Sequence, residues 1–344
     1  ADVTYGDYDK VRVEGAVNFP ISENLATRIA GTFTRWDPVM DNIYPDQQPT
    51  VPIEGVTTTL LGSAIGAADP YDNHEYAIRG HVLWEPNEDT ELLLTGFYAE
   101  QGDFSSGPYQ SGQTTAVVNA AGGHVNTIWA ADDPNNCEAI LDTGGCTPLL
   151  LVLDGDGDAT RPRPGGDLWG YIDADGEDFD VSTDAVTDIN NYKSWGGKAK
   201  LTYQMANDIT MNAIVHYVGY EKIQALDVDG APAPQSNVNN DSETDTFTAE
   251  LRFNGEFERA RWVAGFYYLY IDTDYEIGLG FPPFSPITLV SPPNFGFGGL
   301  PVESNSRAQL ETNSYSLFGQ LDIDLTDQLT FIAGLRAIRE EKDF

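Results

Sequence analysis

The chain has 344 residues, with 54 Asp and Glu against 18 Lys and Arg and a net charge of −36. That balance argues against nucleic acid as a partner, because phosphate recognition needs a basic surface. No apolar run approaches the roughly 18 residues of a membrane-spanning helix, the longest being Leu149-Leu150-Leu151-Val152-Leu153, so only a closed sheet would carry this chain across a bilayer.

Residue 1 opens inside a stretch that reads as a strand, Ala1-Asp2-Val3-Thr4-Tyr5. The sequence is therefore expected to be a piece of a longer one, and its missing leader says nothing about destination. From 11 to 19, Val11, Val13, Gly15, Val17 and Phe19 alternate with Arg12, Glu14 and Asn18, the period of a strand with two unlike faces. After a tight turn at Ser22-Glu23-Asn24, Leu25, Ile29, Gly31 and Phe33 oppose Arg28, Thr32 and Thr34. A long polar stretch, 37–74, follows. Then Tyr76, Ile78, Val82 and Trp84 oppose Glu75, Arg79 and His81, and a turn at 85–89 leads into a less regular strand over 90–103.

The next connection, 104–190, holds 15 acidic residues and only Arg161 and Arg163 as bases. It lacks the apolar content to fold alone and reads as a solvated loop. Cys137 and Cys146 both lie in it. Their separation suggests a local disulfide in an oxidising compartment, contributing about 2.5–3 kcal/mol; two free thiols are the alternative. Asp154, Asp156 and Asp158 alternate with glycines, a spacing that can wrap a hard cation such as Ca²⁺. Ala159 and Gly165 stand where an EF-hand needs Gly and Glu, and a solvated acidic loop explains the motif equally.

Alternation resumes over 194–205 (Trp195, Ala199, Leu201, Tyr203) and, past a turn at 206–208, over 209–222 (Ile209, Met211, Ala213, Val215, Tyr217). A loop at 226–242 precedes 246–253 (Phe247, Ala249, Leu251, Phe253), a turn at 254–258 and an aromatic strand over 262–270. The last long loop spans 277–310 and includes the Gly, Pro and Phe-rich 281–301, where a ligand could be met. Two strands close the chain, 314–325 and 328–339, joined at Thr326-Asp327.

These are about eleven strands, most of 9–17 residues. Globular strands average about 5–6, whereas a membrane-spanning strand needs about 9–11. Connections alternate short and long, which gives the meander one smooth end and one elaborate end. The expected fold is all-β: an antiparallel transmembrane β-barrel meander with short periplasmic turns and long extracellular loops. Its apolar series would face lipid. Its polar series, with Arg12, Arg28, Arg79, Lys198, Lys200, Arg252 and Arg336, would line a wet lumen. Aromatics near strand ends (Phe19, Trp36, Trp84, Tyr98, Trp195, Tyr203, Phe253, Trp262 and Tyr315) would form interfacial girdles, or reflect only the strand preference of such residues. His81 and His216 fall on the lumen series, and His74 and His124 complete no metal spacing with them. Asp322 and Asp324 share one strand face and read as a solvated turn end, not as a catalytic pair. No nucleophile elbow or phosphate loop is present, so no catalytic residue is expected.

Val3-Thr4-Tyr5-Gly6-Asp7-Tyr8-Asp9, followed by 12–21 and Leu25 to Phe33, resembles the first barrel hairpin of TonB-dependent outer-membrane receptors. Thr312-Asn313-Ser314-Tyr315-Ser316-Leu317-Phe318-Gly319-Gln320, with Asp324 to Thr330 and Ala333-Gly334-Leu335-Arg336 after it, is similar to a mid-barrel strand, turn and strand of that family. The resemblance implies a 22-stranded barrel in a Gram-negative outer membrane, with residues 1–344 as part of the barrel domain. It also implies an N-terminal plug and TonB box, both outside this sequence, and energy from TonB. Outer-membrane lipid and a scarce nutrient (ferric siderophore, haem, cobalamin or carbohydrate) would be the other partners. Phe344 is aromatic, but Glu340 and Lys342 occupy positions that an outer-membrane C-terminal signal keeps apolar, so it reads as a break inside a strand. A passive porin would share the strands. A secreted all-β Ca²⁺-dependent binding protein or glycosidase, with Asp154–Asp158 as its metal loop, is a rival of another class.

Overall fold

The computed structural model describes residues 1–43, 69, 72–102, 114–118, 124–129, 152–153, 159–160, 179–181, 190–228, 237–281 and 302–344. One sheet holds twelve strands, eleven of them in a single path: β1 (Asp2–Gly6), β2 (Lys10–Ser22), β3 (Leu25–Trp36), β4 (Asn73–Asn87), β5 (Thr90–Gly102), β6 (Asn191–Gln204), β7 (Thr210–Ile223), β8 (Asn237–Phe257), β9 (Ala260–Phe281), β10 (Val302–Thr326) and β11 (Leu329–Asp343); the short Ala225–Asp227 pairs with the start of β8 off this path. Each pairs antiparallel with the next, in chain order from β1 to β11. This is the expected meander, strand for strand.

Directly paired residues share a face, so the register turns the alternation of each strand into rows across the sheet. One outward row runs Leu25, Trp84, Leu92, Leu201, Ala213, Leu251, Phe266, Leu317. The neighbouring inward row runs Asn18, Arg28, His81, Thr95, Lys198, His216, Thr248. A one-residue slip at any pair would mix the two.

Burial inverts the rule for a soluble protein. Among the described residues the buried side chains are mostly polar, including Thr34, Asn73, Asn212, Thr312, Ser314 and Ser316, while Val17, Ile78, Leu317 and Leu335 stand exposed. On β10 the adjacent residues Ser316 and Leu317 are 3% and 64% exposed. Water would penalise such a surface by about 1.5–3 kcal/mol for each large apolar side chain left uncovered; hydrocarbon would not.

Three expectations need correction. The tight turns at Glu88-Asp89 and Glu258-Arg259 are narrower than alternation implied, and the last is shifted by one residue to Asp327-Gln328. Upward, β8, β9 and β10 reach 21, 22 and 25 residues, shortening the loops at 226–242 and 277–310. The apolar series ends near the membrane boundary, but backbone pairing continues through polar sequence such as Asn239 to Asp245, where periodicity carries no signal. Consequently the outward face is not charge-free. Above the apolar rows it carries Glu100, Lys193, Glu221, Glu243 and Asp274 in one register row. Trp36 also departs from its expected place. It lies on the inward series, with the Lys10 ammonium 5.0 Å from its ring centroid.

Small residues permit large ones to lie flat on the ladder. Trp195 pairs directly with Gly219, and a Cβ there would stand 2.4 Å from the indole. At Gly196 a Cβ would meet the Tyr217 carbonyl oxygen at 2.3 Å, a backbone contact with nowhere to yield.

At the long-loop end, Asp41–Asn42 pairs in parallel with Asp180–Val181. The Asp41 amide donates to the Phe179 carbonyl at 3.1 Å and the Ile43 amide to that of Val181 at 2.8 Å. Val181 is fully buried. Nearby, buried Asn190 acts as a strand substitute: its Nδ2 donates to the Ala225 carbonyl at 3.2 Å, and its Oδ1 accepts from the Ala225 amide at 2.6 Å.

Candidate functional site

The inward wall of β3 to β8 carries the chemistry, in two tiers. The lower tier is the row from Asn18 to Thr248. Arg28 Nη1 donates to Asn18 Oδ1 at 3.2 Å, and His81 Nδ1 lies 2.9 Å from Thr95 Oγ1. Both expected lumen histidines are here, and His216 packs at 6.5 Å from the Phe97 ring. Beside them stand Arg79, Lys198 and Lys200. Among the described residues none of these three has a carboxylate within ion-pair distance, although acids outnumber bases threefold over the chain. The outward upper face differs: Lys193 pairs with Glu221 at 3.7 Å and Arg307 with Asp274 at 3.7 Å.

The upper tier lies two to three rows nearer the loops on the same face. Register places Thr34, Glu75, Gln101, Tyr192 and Lys222 in one row on five successive strands. The row below holds Thr32, Ala77, Ala99, Ser194 and Tyr220. Its small members make a floor, and a cavity of about 330 Å³ opens over it, bounded by Glu75, Gln101, Tyr192 and Tyr220. A second cavity of about 620 Å³ shares Thr32, Ala77 and Ala99 and continues down to Arg79 and Phe97. The Tyr192 and Tyr220 rings stand 6.5 Å apart at 37°.

Two polar atoms in this tier are buried without partners. Thr34 is 3% exposed and Asn73 is 2% exposed. The Thr34 hydroxyl makes no hydrogen bond, and neither does Asn73 Nδ2, although Asn73 Oδ1 accepts from Gln101 Nε2 at 2.7 Å. Each such group costs about 1–3 kcal/mol. Sequence reading put Thr34, Glu75 and His81 on the wall but did not assemble this tier. Its members are scattered over five strands, and only register brings them together.

Outside the wall, Tyr76 and Tyr98 stack at 5.9 Å, and both hydroxyls donate to Glu100 Oε2, Tyr76 at 2.6 Å. Tyr268 and Tyr315 lie 4.9 Å apart, and Tyr217 donates to Asp245 Oδ1 at 2.5 Å. These rings sit where the outward face changes from apolar to acidic, as a girdle requires. Asp322 and Asp324 take structural roles beside the 327–328 turn. Asp322 accepts from Gln320, and Asp324 accepts from Thr330 at 2.6 Å and pairs with Arg261 at 3.3 Å. Cys137, Cys146, Asp154, Asp156, Asp158 and 282–301 lie outside the described residues.

Solved structures of similar fold include the ferric yersiniabactin uptake receptor FyuA of Yersinia pestis, at 12% identity and a TM-score of 0.55 over 98% of this chain and 38% of that one. The ferripyoverdine receptor of Pseudomonas aeruginosa gives 13% and 0.51 over 99% and 37%. The copper transporter OprC gives 11% and 0.51 over 99% and 37%. The chain thus spans under half the length of these structures. No curated protein matches it by sequence. The sequence model described as TonB dependent receptor-like, beta-barrel, matches residues 84–343, from the end of β4 through β11. The chain belongs to the TonB-dependent receptor β-barrel family, whose place is the Gram-negative outer membrane.

Proposed function

We propose that this sheet is part of the wall of an energised receptor. It captures a scarce nutrient at its extracellular loops and passes it inward through the lumen. The observation that supports this most is the inverted burial: a polar, cavity-bearing inner wall behind an apolar outer face, in a chain of this family. Ferric siderophore, haem, cobalamin and carbohydrate are the cargo classes, and the names of the similar structures, two for ferric chelates and one for copper, favour a scarce nutrient. TonB supplies the energy through an N-terminal region outside this sequence. The protein makes and breaks no covalent bond in this role.

The test is nutrient-limited growth and cargo uptake in the source cells, with either the full-length receptor gene or TonB deleted. Loss of the same uptake in both strains is expected. Uptake that needs the receptor but persists without TonB would make it a passive channel.

A further inference from the structure

We infer that the upper tier of the inner wall is a saccharide subsite: a place for a neutral, hydroxyl-rich ring. This rests on the receptor reading above and names the cargo that the reading leaves open. Two observations converge on one cavity. The first is the tyrosine pair. Tyr192 and Tyr220 project from neighbouring strands at the end of the cavity, 6.5 Å apart. Paired rings offer flat, weakly polar surface to the C–H face of a sugar, with little side-chain freedom to lose.

The second is the polar set. Glu75 supplies acceptors, the Gln101 amide supplies both kinds, and Ser194 supplies a hydroxyl. A ring bearing several hydroxyls, each a donor and an acceptor, answers such a mixed set. A bare anion answers it less well, because the lining carries Glu75 and Glu100 against Lys193.

Size agrees. The cavity of about 330 Å³ lies at the lower end for small-ligand sites, and the larger one below it shares its floor. Several rings could therefore lie along the wall, with Arg79 and Phe97 met further down. The unpaired cations of the lower tier stand apart from this site and are not needed for it.

The experiment uses the full-length receptor, purified in detergent. Isothermal titration is run with maltotriose, cellotriose and xylotriose, and separately with the iron chelates ferrichrome and ferrioxamine. Folding of each variant is checked by heat-modifiable mobility. One trisaccharide is expected to bind. Tyr192→Ala and Tyr220→Ala should each weaken it by about tenfold, as truncation of a central aromatic anchor does. Gln101→Ala should weaken it by about fivefold through a lost hydrogen bond, whereas Tyr192→Phe, which keeps the ring, stays within about twofold. Saccharide binding that none of the variants moves would put the site elsewhere and overturn the inference. Binding of an iron chelate with no saccharide would also overturn it, while leaving the receptor reading intact. If nothing binds, the subsite falls, and TonB-dependent growth alone decides the receptor reading.

Discussion

The lower and upper halves of the outward face share one backbone ladder and oppose each other in chemistry. On β7, Ala213, Val215 and Tyr217 give way to Gly219 and Glu221; on β8, Leu251, Ala249 and Phe247 give way to Asp245 and Glu243. Hydrogen bonding is the same above and below, so the ladder does not set the boundary. Solvent does. A strand needs about 9–11 residues to cross hydrocarbon, and β8, β9 and β10 have roughly twice that. Their surplus stands in water or among headgroups, where charge is tolerated. The comparison teaches that strand length and membrane span are separate properties here.

The sharpest way to break the comparison is to put one charge into each half. Val215→Arg should destabilise the full-length receptor in lipid by about 2–4 kcal/mol, read by urea unfolding in bilayers. Glu243→Arg, two rows above the boundary on the next strand, should change stability by less than about 0.5 kcal/mol. Equal costs would dissolve the two-band division. Next in size is Gly196→Val, which overpacks the wall against the Tyr217 carbonyl and should cost about 1–3 kcal/mol in the same assay. At the boundary itself, Tyr98→Phe removes one of the two phenolic donors to Glu100 and should cost about 1 kcal/mol. The smallest effect is expected for Lys193→Gln. It breaks a partly exposed pair with Glu221, worth about 0–1 kcal/mol, and the difference from wild type should shrink further in 1 M salt.

The sequence disclosed the lower half almost completely. All eleven strands are present because apolar and polar residues alternate wherever one face meets lipid and the other a wet interior; Tyr315, Leu317, Leu321 and Ile323 against Ser316, Gln320 and Asp322 is such a case. It disclosed the upper half poorly. Where both faces meet water, as from Asn239 to Asp245, alternation has no physical cause, and strand reads as loop. Trp36 is ambiguous for a related reason: an aromatic residue at a strand end suits a girdle or a lumen equally, and only register decides. The candidate subsite was legible one residue at a time, since Thr34 and Glu75 were on the polar series, but its assembly was not. Neither were the unmet hydroxyl of Thr34 and amide of Asn73, because an absent hydrogen bond leaves no mark on composition.

The pairing of Asp41–Asn42 with Asp180–Val181 has a kinetic meaning. Every ladder of the main sheet joins strands consecutive along it, and six of the ten close over a tight turn of a few residues, where little loop entropy opposes pairing. The parallel bridge is different. It cannot form until the chain has delivered β4, β5 and everything up to Val181. The tight hairpins of the wall are therefore local, while this bridge, like the β5–β6 ladder, is nonlocal. The bridge works as a staple: it closes the chain around the β4–β5 hairpin, fastening the residues that follow β3 to the segment that precedes β6.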